Sequence, residues 1–231
     1  MTTVFITSTG TDIGKTFIAR GLIRHLRNRG RTVDALKPVA SGFLPREVET
    51  SDVGLLLSAL GRPATMTEVE RISPWRFMAP LSPDIAAQRE GRRIDFGSLV
   101  DFSKGAIESA TDVLFIEGIG GVMVPLDERH TVLDWMAALA RPIVLVAGNY
   151  LGTISHTLTA LEVLASRDLE VLSVVLSERE DSVPVAENVY AIARLAKMEI
   201  LTVPRLVGGS FNHPTFQHLA SRVLASGGMR R

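Results

Sequence analysis

The sequence contains no cysteine. That excludes disulfides, thiolate metal sites and cysteine nucleophiles, and it suits a reducing cytoplasm. Net charge is lacking too: 25 Lys and Arg balance 25 Asp and Glu. No overall field draws the chain to nucleic acid or to a membrane surface. The longest apolar stretches, such as Pro142–Gly148, are far too short to span a bilayer. The opening MTTVFITSTGTD has no basic segment and no long apolar core, so it is not expected to act as a signal peptide. There is no repeat at solenoid periods and no low-complexity segment. The five histidines show no metal-ligand spacing, and His213 and His218 are expected at the surface.

What the chain does have is 231 residues with an apolar fraction of 46%, enough for a substantial core. Short β-rich runs alternate with helical patterns. Thr3–Thr7 predicts a strand, and Lys15–Arg29 a helix with Ile18, Leu22 and Leu26 on one face. Strands follow at Thr32–Leu36, Val113–Ile116, Ile143–Ala147, Val171–Leu176 and Ile200–Val203. Helices are predicted at Asp52–Leu60, from Ser82-Pro83, and at Asp95–Ala110, Val132–Leu139, Ile154–Ser166, Val185–Lys197 and Pro214–Ser226. Apolar strands each followed by a helix imply an α/β fold: a mostly parallel sheet with helices on both faces, in one domain over 1–231. The irregular stretch Phe43–Pro80 reads as an excursion at the sheet's edge. Ligands on such a sheet lie beyond the carboxyl ends of the strands, which selects the loops to inspect.

The first of these loops is Ser8-Thr9-Gly10-Thr11-Asp12-Ile13-Gly14-Lys15-Thr16, with a helix starting at once. Strand, glycine-containing loop, Gly-Lys-Thr and helix, in that order, are what a phosphate cradle (P-loop) needs. Gly14 lets backbone approach phosphate, and free N–H groups and the helix dipole favour the anion. Lys15 can reach the β- and γ-phosphates, and the Thr16 hydroxyl can hold Mg²⁺. The strict G-x4-G-K-[ST] spacing is not met, because Thr9 stands five before Gly14.

The second loop, Leu36-Lys37-Pro38-Val39-Ala40-Ser41-Gly42, delivers Lys37 to the same edge. Alone, such a lysine is a solvated charge. Beside a P-loop it reads as a second cation for the transferring phosphoryl group. Glu117 ends an apolar strand and is followed by Gly118-Ile119-Gly120-Gly121. It is the expected Mg²⁺-associated carboxylate. Asp52 is either a helix N-cap or a second metal carboxylate. Arg20, Arg24 and Arg27 read as a solvated helix face.

Together these pieces resemble the dethiobiotin synthetases of biotin synthesis. The family pattern runs G-T-D-T-x-V-G-K-T, K-P-V-x-[ST]-G, an Asp after Ser or Asn, P-x-S-P, E-G-x-G-G-x-x-x-P, a D-W helix, a V-x-L-G loop and a late Pro strand. This chain supplies Thr9, Thr11, Ile13-Gly14-Lys15-Thr16, Lys37-Pro38-Val39-Ala40-Ser41-Gly42 and Ser51-Asp52. It continues with Pro80-Leu81-Ser82-Pro83, Glu117-Gly118-Ile119-Gly120-Gly121 with Pro125, Asp134-Trp135, Leu151-Gly152 and Pro204, so the match reaches about Leu206.

The resemblance implies that CO₂ bridges the two amines of 7,8-diaminononanoate into a cyclic urea, by way of a carbamate and a carbamic–phosphoric anhydride made with ATP. It makes Lys37 and Lys15 the catalytic cations. Nucleotide contacts would come from Asp12, Ile13, Gly14, Lys15, Thr16 and Phe17, then Asp52, Glu117, Gly118, Ile119 and Gly120. Ser177, Glu178, Pro204, Arg205 and Leu206 would complete them. Thr16, Asp52 and Glu117 would surround Mg²⁺. Ser41, Gly120, Leu151 and Gly152 would meet the substrate, the last two from the partner subunit of a homodimer.

The chain departs from the pattern in four places. Ser8 replaces a Gly and Gly10 an Asp within the first loop. Ser155 stands where many members carry an Asn near the substrate carboxylate, and Ser177 where an Asn often reads adenine. Other P-loop readings fit less well. Corrinoid-type amidoligases carry a glutaminase domain with a Cys nucleophile. Partitioning-type switch ATPases, the main alternative, carry an additional early loop lysine, whereas Lys15 is the only lysine of the first loop here. A dead nucleotide-binding module would be expected to have lost Lys15, Lys37 or Glu117.

Overall fold

The β-branched and aliphatic runs form strands because both their faces are covered. The structure, a computed structural model, describes residues 1–178, 183–206 and 211–227. In chain order its strands are β1 (Thr2–Ser8), β2 (Val33–Leu36), β3 (Val39–Ser41), β4 (Trp75–Phe77), β5 (Val113–Glu117), β6 (Ile143–Gly148), β7 (Val171–Ser177) and β8 (Ile200–Val203). Six of them make one parallel sheet in the order β2-β5-β1-β6-β7-β8. Every residue of β1, β5 and β6 is buried, as a sheet covered on both sides requires. The chain moves from β1 out to β2, returns through β5, then continues on the far side of β1. That reversal opens a crevice at the carboxyl end of β1.

The helices are α1 (Lys15–Arg27), α2 (Asp52–Leu60), α3 (Met66–Ile72), α4 (Pro83–Arg89), α5 (Phe96–Ser109), α6 (Val132–Leu139), α7 (Thr153–Ala165), α8 (Val185–Ala196) and α9 (Pro214–Ser226). On α1, Ile18, Leu22 and Leu26 are fully buried, the stripe expected from their spacing. Among the described residues no helix is long and apolar enough to cross a membrane.

Helix ends shift by a residue or two from their sequence-based limits, for identifiable reasons. Asp95 precedes α5 as its cap, accepting from Ser98 N at 2.8 Å. Lys197, in the left-handed region, ends α8. Beyond the expected α2, the excursion after Phe43 holds more order than its sequence suggests: α3, and β4 paired in parallel with β3. Three-residue strands are too short to show a period. The Asp-Trp pair is structural. Asp134 accepts from the N and Oγ1 of Thr131 in a capping box, and Trp135 packs edge-on to Phe5 with Nε1 donating to Ser103 Oγ at 3.1 Å.

Candidate active site

The first loop turns into α1 through Gly14, whose φ of 103° lies in the region that disfavours side chains. A Cβ there would also sit 3.1 Å from Ser177 Oγ, so the end of β7 roofs this turn. Asp12 also has positive φ, at 55°, a conformation that Asp tolerates better than most residues. The loop is tied down by Thr9 N donating to Val146 O at 3.0 Å. Across from it comes the glycine run after β5, where a Cβ on Gly121 would lie 3.2 Å from Gly10 N. Only glycine permits this backbone approach.

Lys15 is buried and bonded to these two loops. Its Nζ donates to Gly120 O at 2.8 Å, Ser8 Oγ at 3.0 Å and Gly10 O at 3.4 Å. Ser8, one of the departures from the family pattern, is thus a partner of the loop lysine and no obstacle to the turn. Sequence reasoning saw only its difference. Burial, and next the charge of Lys37, push the Lys15 pKa down to about 8.

Lys37 follows β2 and is almost wholly buried. Its Nζ lies 2.5 Å from Glu117 Oε1 and 3.0 Å from Asp52 Oδ2. Burial alone would depress its pKa, but the Glu117 and Asp52 carboxylates outweigh it and hold the lysine protonated above its usual range. Burial likewise works against the Asp52 carboxylate, yet Lys37 and Thr16 hold its pKa below the ordinary value. Thr16 Oγ1 donates to Glu117 Oε1 at 2.6 Å, while the buried Glu117 Oε2 has no partner.

The cap reading of Asp52 does not hold. The cap of α2 is Ser51, which accepts from Gly54 N at 3.1 Å, and Asp52 is the first helical residue with its carboxylate on Lys37. The solvated-face reading of the α1 arginines holds for the exposed Arg27 but not for Arg20 and Arg24, which are partly buried. The guanidinium groups of Arg20 and Arg24 lie 5.2 and 4.9 Å from the centre of the Phe211 ring, and Arg27 donates to Ala59 O at 2.7 Å. The aromatic partner of Arg20 and Arg24 is remote in sequence, so helical spacing gave no sign of it.

One cavity of about 380 Å³ gathers Asp12, Ile13, Gly14, Lys15, Thr16 and Phe17 with Lys37, Ser41, Asp52, Ile119 and Gly120. Arg20, Thr11 and Leu55 complete its lining. Glu117 stands behind it, bonded to Thr16 and Lys37. Gly118 continues β5, its N bonded to Ile6 O at 2.9 Å. Ser177, Glu178, Pro204, Arg205 and Leu206 lie outside that lining, at the ends of β7 and β8, where Glu178 N donates to Val203 O at 2.9 Å. Leu151 and Gly152 lie outside it too, before α7, with Leu151 91% exposed. Among the described residues no group of three or more His, Cys, Asp or Glu side chains is gathered for a metal.

This arrangement has relatives. A family model described as an AAA domain matches residues 2–206. The ATP-dependent dethiobiotin synthetase BioD of Acidiphilium cryptum is 50% identical over 84% of this chain and 88% of its own. That of Phenylobacterium zucineum is 42% identical over 98% of this chain and 96% of its own. Among solved structures, the MinC:MinD cell division protein complex of Aquifex aeolicus superposes with a TM-score of 0.58, covering 100% of this chain and 97% of that one. At 15% identity that likeness speaks for the P-loop fold alone. With a P-loop, a second buried lysine and curated relatives of this identity over nearly full length, the chain belongs to the ATP-dependent dethiobiotin synthetase family.

Proposed function

We propose that this chain, as one domain over residues 1–231, is an ATP-dependent cyclo-ligase forming the C–N bonds of dethiobiotin from 7,8-diaminononanoate, CO₂ and ATP. The observation that carries the reading is Lys37: a protonated lysine, held by Glu117 and Asp52, in one cavity with the P-loop and Ser41. One amine of the substrate adds to CO₂ and gives a carbamate. A carbamate oxygen then takes the γ-phosphoryl group, releasing ADP. The second amine attacks the carbonyl carbon of the mixed anhydride and expels phosphate, closing the urea ring.

Each residue has a task in that sequence. Lys37 neutralises the carbamate and the phosphoryl group in transfer, a buried charge preorganised by Glu117 and Asp52. Lys15 and the backbone N–H groups of Gly14–Phe17 hold the triphosphate. Asp12, Gly118, Ile119 and Gly120 complete its walls, and Ser41 touches the diamine. Ser177, Glu178 and Pro204–Leu206 flank the base. Leu151 and Gly152, exposed on this protomer, meet the substrate bound by a partner in a homodimer. The setting is the cytoplasm.

Thr16, Asp52 and Glu117 suit Mg²⁺. All three offer oxygen, as a hard cation requires, and Glu117 Oε2 is a buried acceptor without a partner. When bound, the ion supplies positive charge to the β- and γ-phosphate oxygens.

The test is incubation with diaminononanoate, labelled bicarbonate, Mg²⁺ and ATP, followed by mass spectrometry. Label in a cyclic urea, with one phosphate released per ring, is the expected result. Free ATP hydrolysis without urea would replace this reading with that of a switch ATPase. Light scattering at assay concentration tests assembly, and an active monomer would exclude a shared site.

A further inference from the structure

On α1, one turn beyond Thr16, Arg20 points along the same helical face. It lines the cavity of the P-loop together with Gly14, Lys15, Thr16 and Phe17. Its guanidinium lies over Phe211, whose ring also packs against Phe17 at 5.1 Å between centroids. The Nε is buried and has no hydrogen-bond partner, and among the described residues the guanidinium joins no ion pair. A partly desolvated cation with an unused donor fork, facing a cavity rich in backbone N–H groups, is an incomplete anion site. Arg24 covers the same ring but does not line the cavity.

We propose that Arg20 is a further nucleotide-binding residue, contacting the triphosphate of ATP from the α1 side of the cavity. This rests on the P-loop reading above. Guanidinium matches phosphate oxygens with two parallel donors, which a carbonyl or a single hydroxyl does not require. Phe211 lies under the guanidinium, so less freedom is lost when phosphate arrives. Burial and the neighbouring charge of Arg24 both disfavour the unpaired cation. A phosphate group relieves both. The residue acts on nucleotide affinity and leaves the diamine alone.

The test is calorimetric titration of MgATP and of adenosine into the full chain and four variants. Arg20→Met keeps the stem on Phe211 and removes the charge; Arg20→Lys restores charge without the fork. The expected result is a loss of about tenfold or more in MgATP affinity for Arg20→Met, partly recovered in Arg20→Lys. Arg24→Met should stay within about twofold of the unmodified chain. Adenosine affinity and the KM for the diamine should not change. MgATP binding within twofold in Arg20→Met overturns the proposal. So does an equal loss in Arg24→Met, which would make the effect one of packing, or an equal loss for adenosine, which would assign Arg20 to the nucleoside. Lys15→Ala separates the two levels. If the unmodified chain binds MgATP and Lys15→Ala does not, the P-loop reading stands whatever Arg20 does; if the unmodified chain binds none, both readings fall.

Discussion

The two ends of the sheet's carboxyl edge are built differently. At the tips of β1, β2 and β5, charges are buried and joined: Lys15 to loop carbonyls, Lys37 to Glu117 and Asp52, and Thr16 to Glu117. At the tips of β6, β7 and β8 the groups lie apart. Leu151 is exposed, Ser177 is tucked against Gly14, and Pro204–Leu206 runs past the last strand. In the proposed function the first region does its chemistry within one chain and must be preorganised, because buried charges tolerate no loose partner. In the proposed function the second region selects ligands, and a loop edge or a second subunit completes it.

If that division is right, the largest effect belongs to Lys37. Lys37→Ala should lose at least about 10²-fold in turnover, the scale for removing a preorganised charge partner. It should also lower Tm, because Glu117 then lies buried without its cation. Steady-state kinetics and a thermal melt read the two losses. Near-normal turnover would reduce Lys37 to a structural counter-ion.

Glu117→Gln should raise the Mg²⁺ concentration needed for half-maximal rate by about tenfold. Asp52→Asn should raise it less, because its side chain is 51% exposed and more open to solvent screening. A magnesium titration of both variants compares them, and the reverse order would break the scheme.

A gentler probe is pH. The folded pKa of Lys15, about 8, lies below the lysine reference value of 10.5. Folding therefore disfavours its charged form. The cost is present in full below about pH 8, and stability rises as pH climbs from there towards the unfolded value. Nucleotide binding runs the other way, since the triphosphate favours the charged form. The KM for ATP should be flat below pH 8 and rise a fewfold by pH 9. A flat profile through pH 9 would show that Lys15 is not desolvated.

The smallest effect is expected in the selecting region. A serine hydroxyl cannot make the paired donor–acceptor contact that an amide makes with adenine. The preference for ATP over CTP or GTP should therefore be about 10²-fold or less in kcat/KM, and Ser177→Asn should increase it several-fold. A native preference near 10⁴ would mean that another residue reads the base.

The sequence was most informative where chemistry is local. Lys15 and Thr16 are set by the turn they occupy, and the strand–loop–helix order announced that turn before any contact was visible. Lys37 and Glu117 were legible as charges at the ends of apolar strands. The first-loop departures looked like a flaw because the hydroxyl of Ser8 finds its partner only in three dimensions. Arg20 and Arg24 were misread because Phe211 lies some 190 residues away in the chain. The short β3–β4 pair escaped notice because three residues show no alternation.

The sequence by itself determined the order of elements, the burial of the strands and the residue types of the catalytic edge, since each depends on periodicity or on neighbours within a few positions. Tertiary structure alone decided which charges meet. Lys37 and Glu117 are 80 residues apart, and only parallel pairing of β2 with β5 brings their tips to one place. The fold likewise decided that Ser51, not Asp52, caps α2. A charge's role depends on its partner and its dielectric surroundings, and both are properties of the folded arrangement, not of the residue.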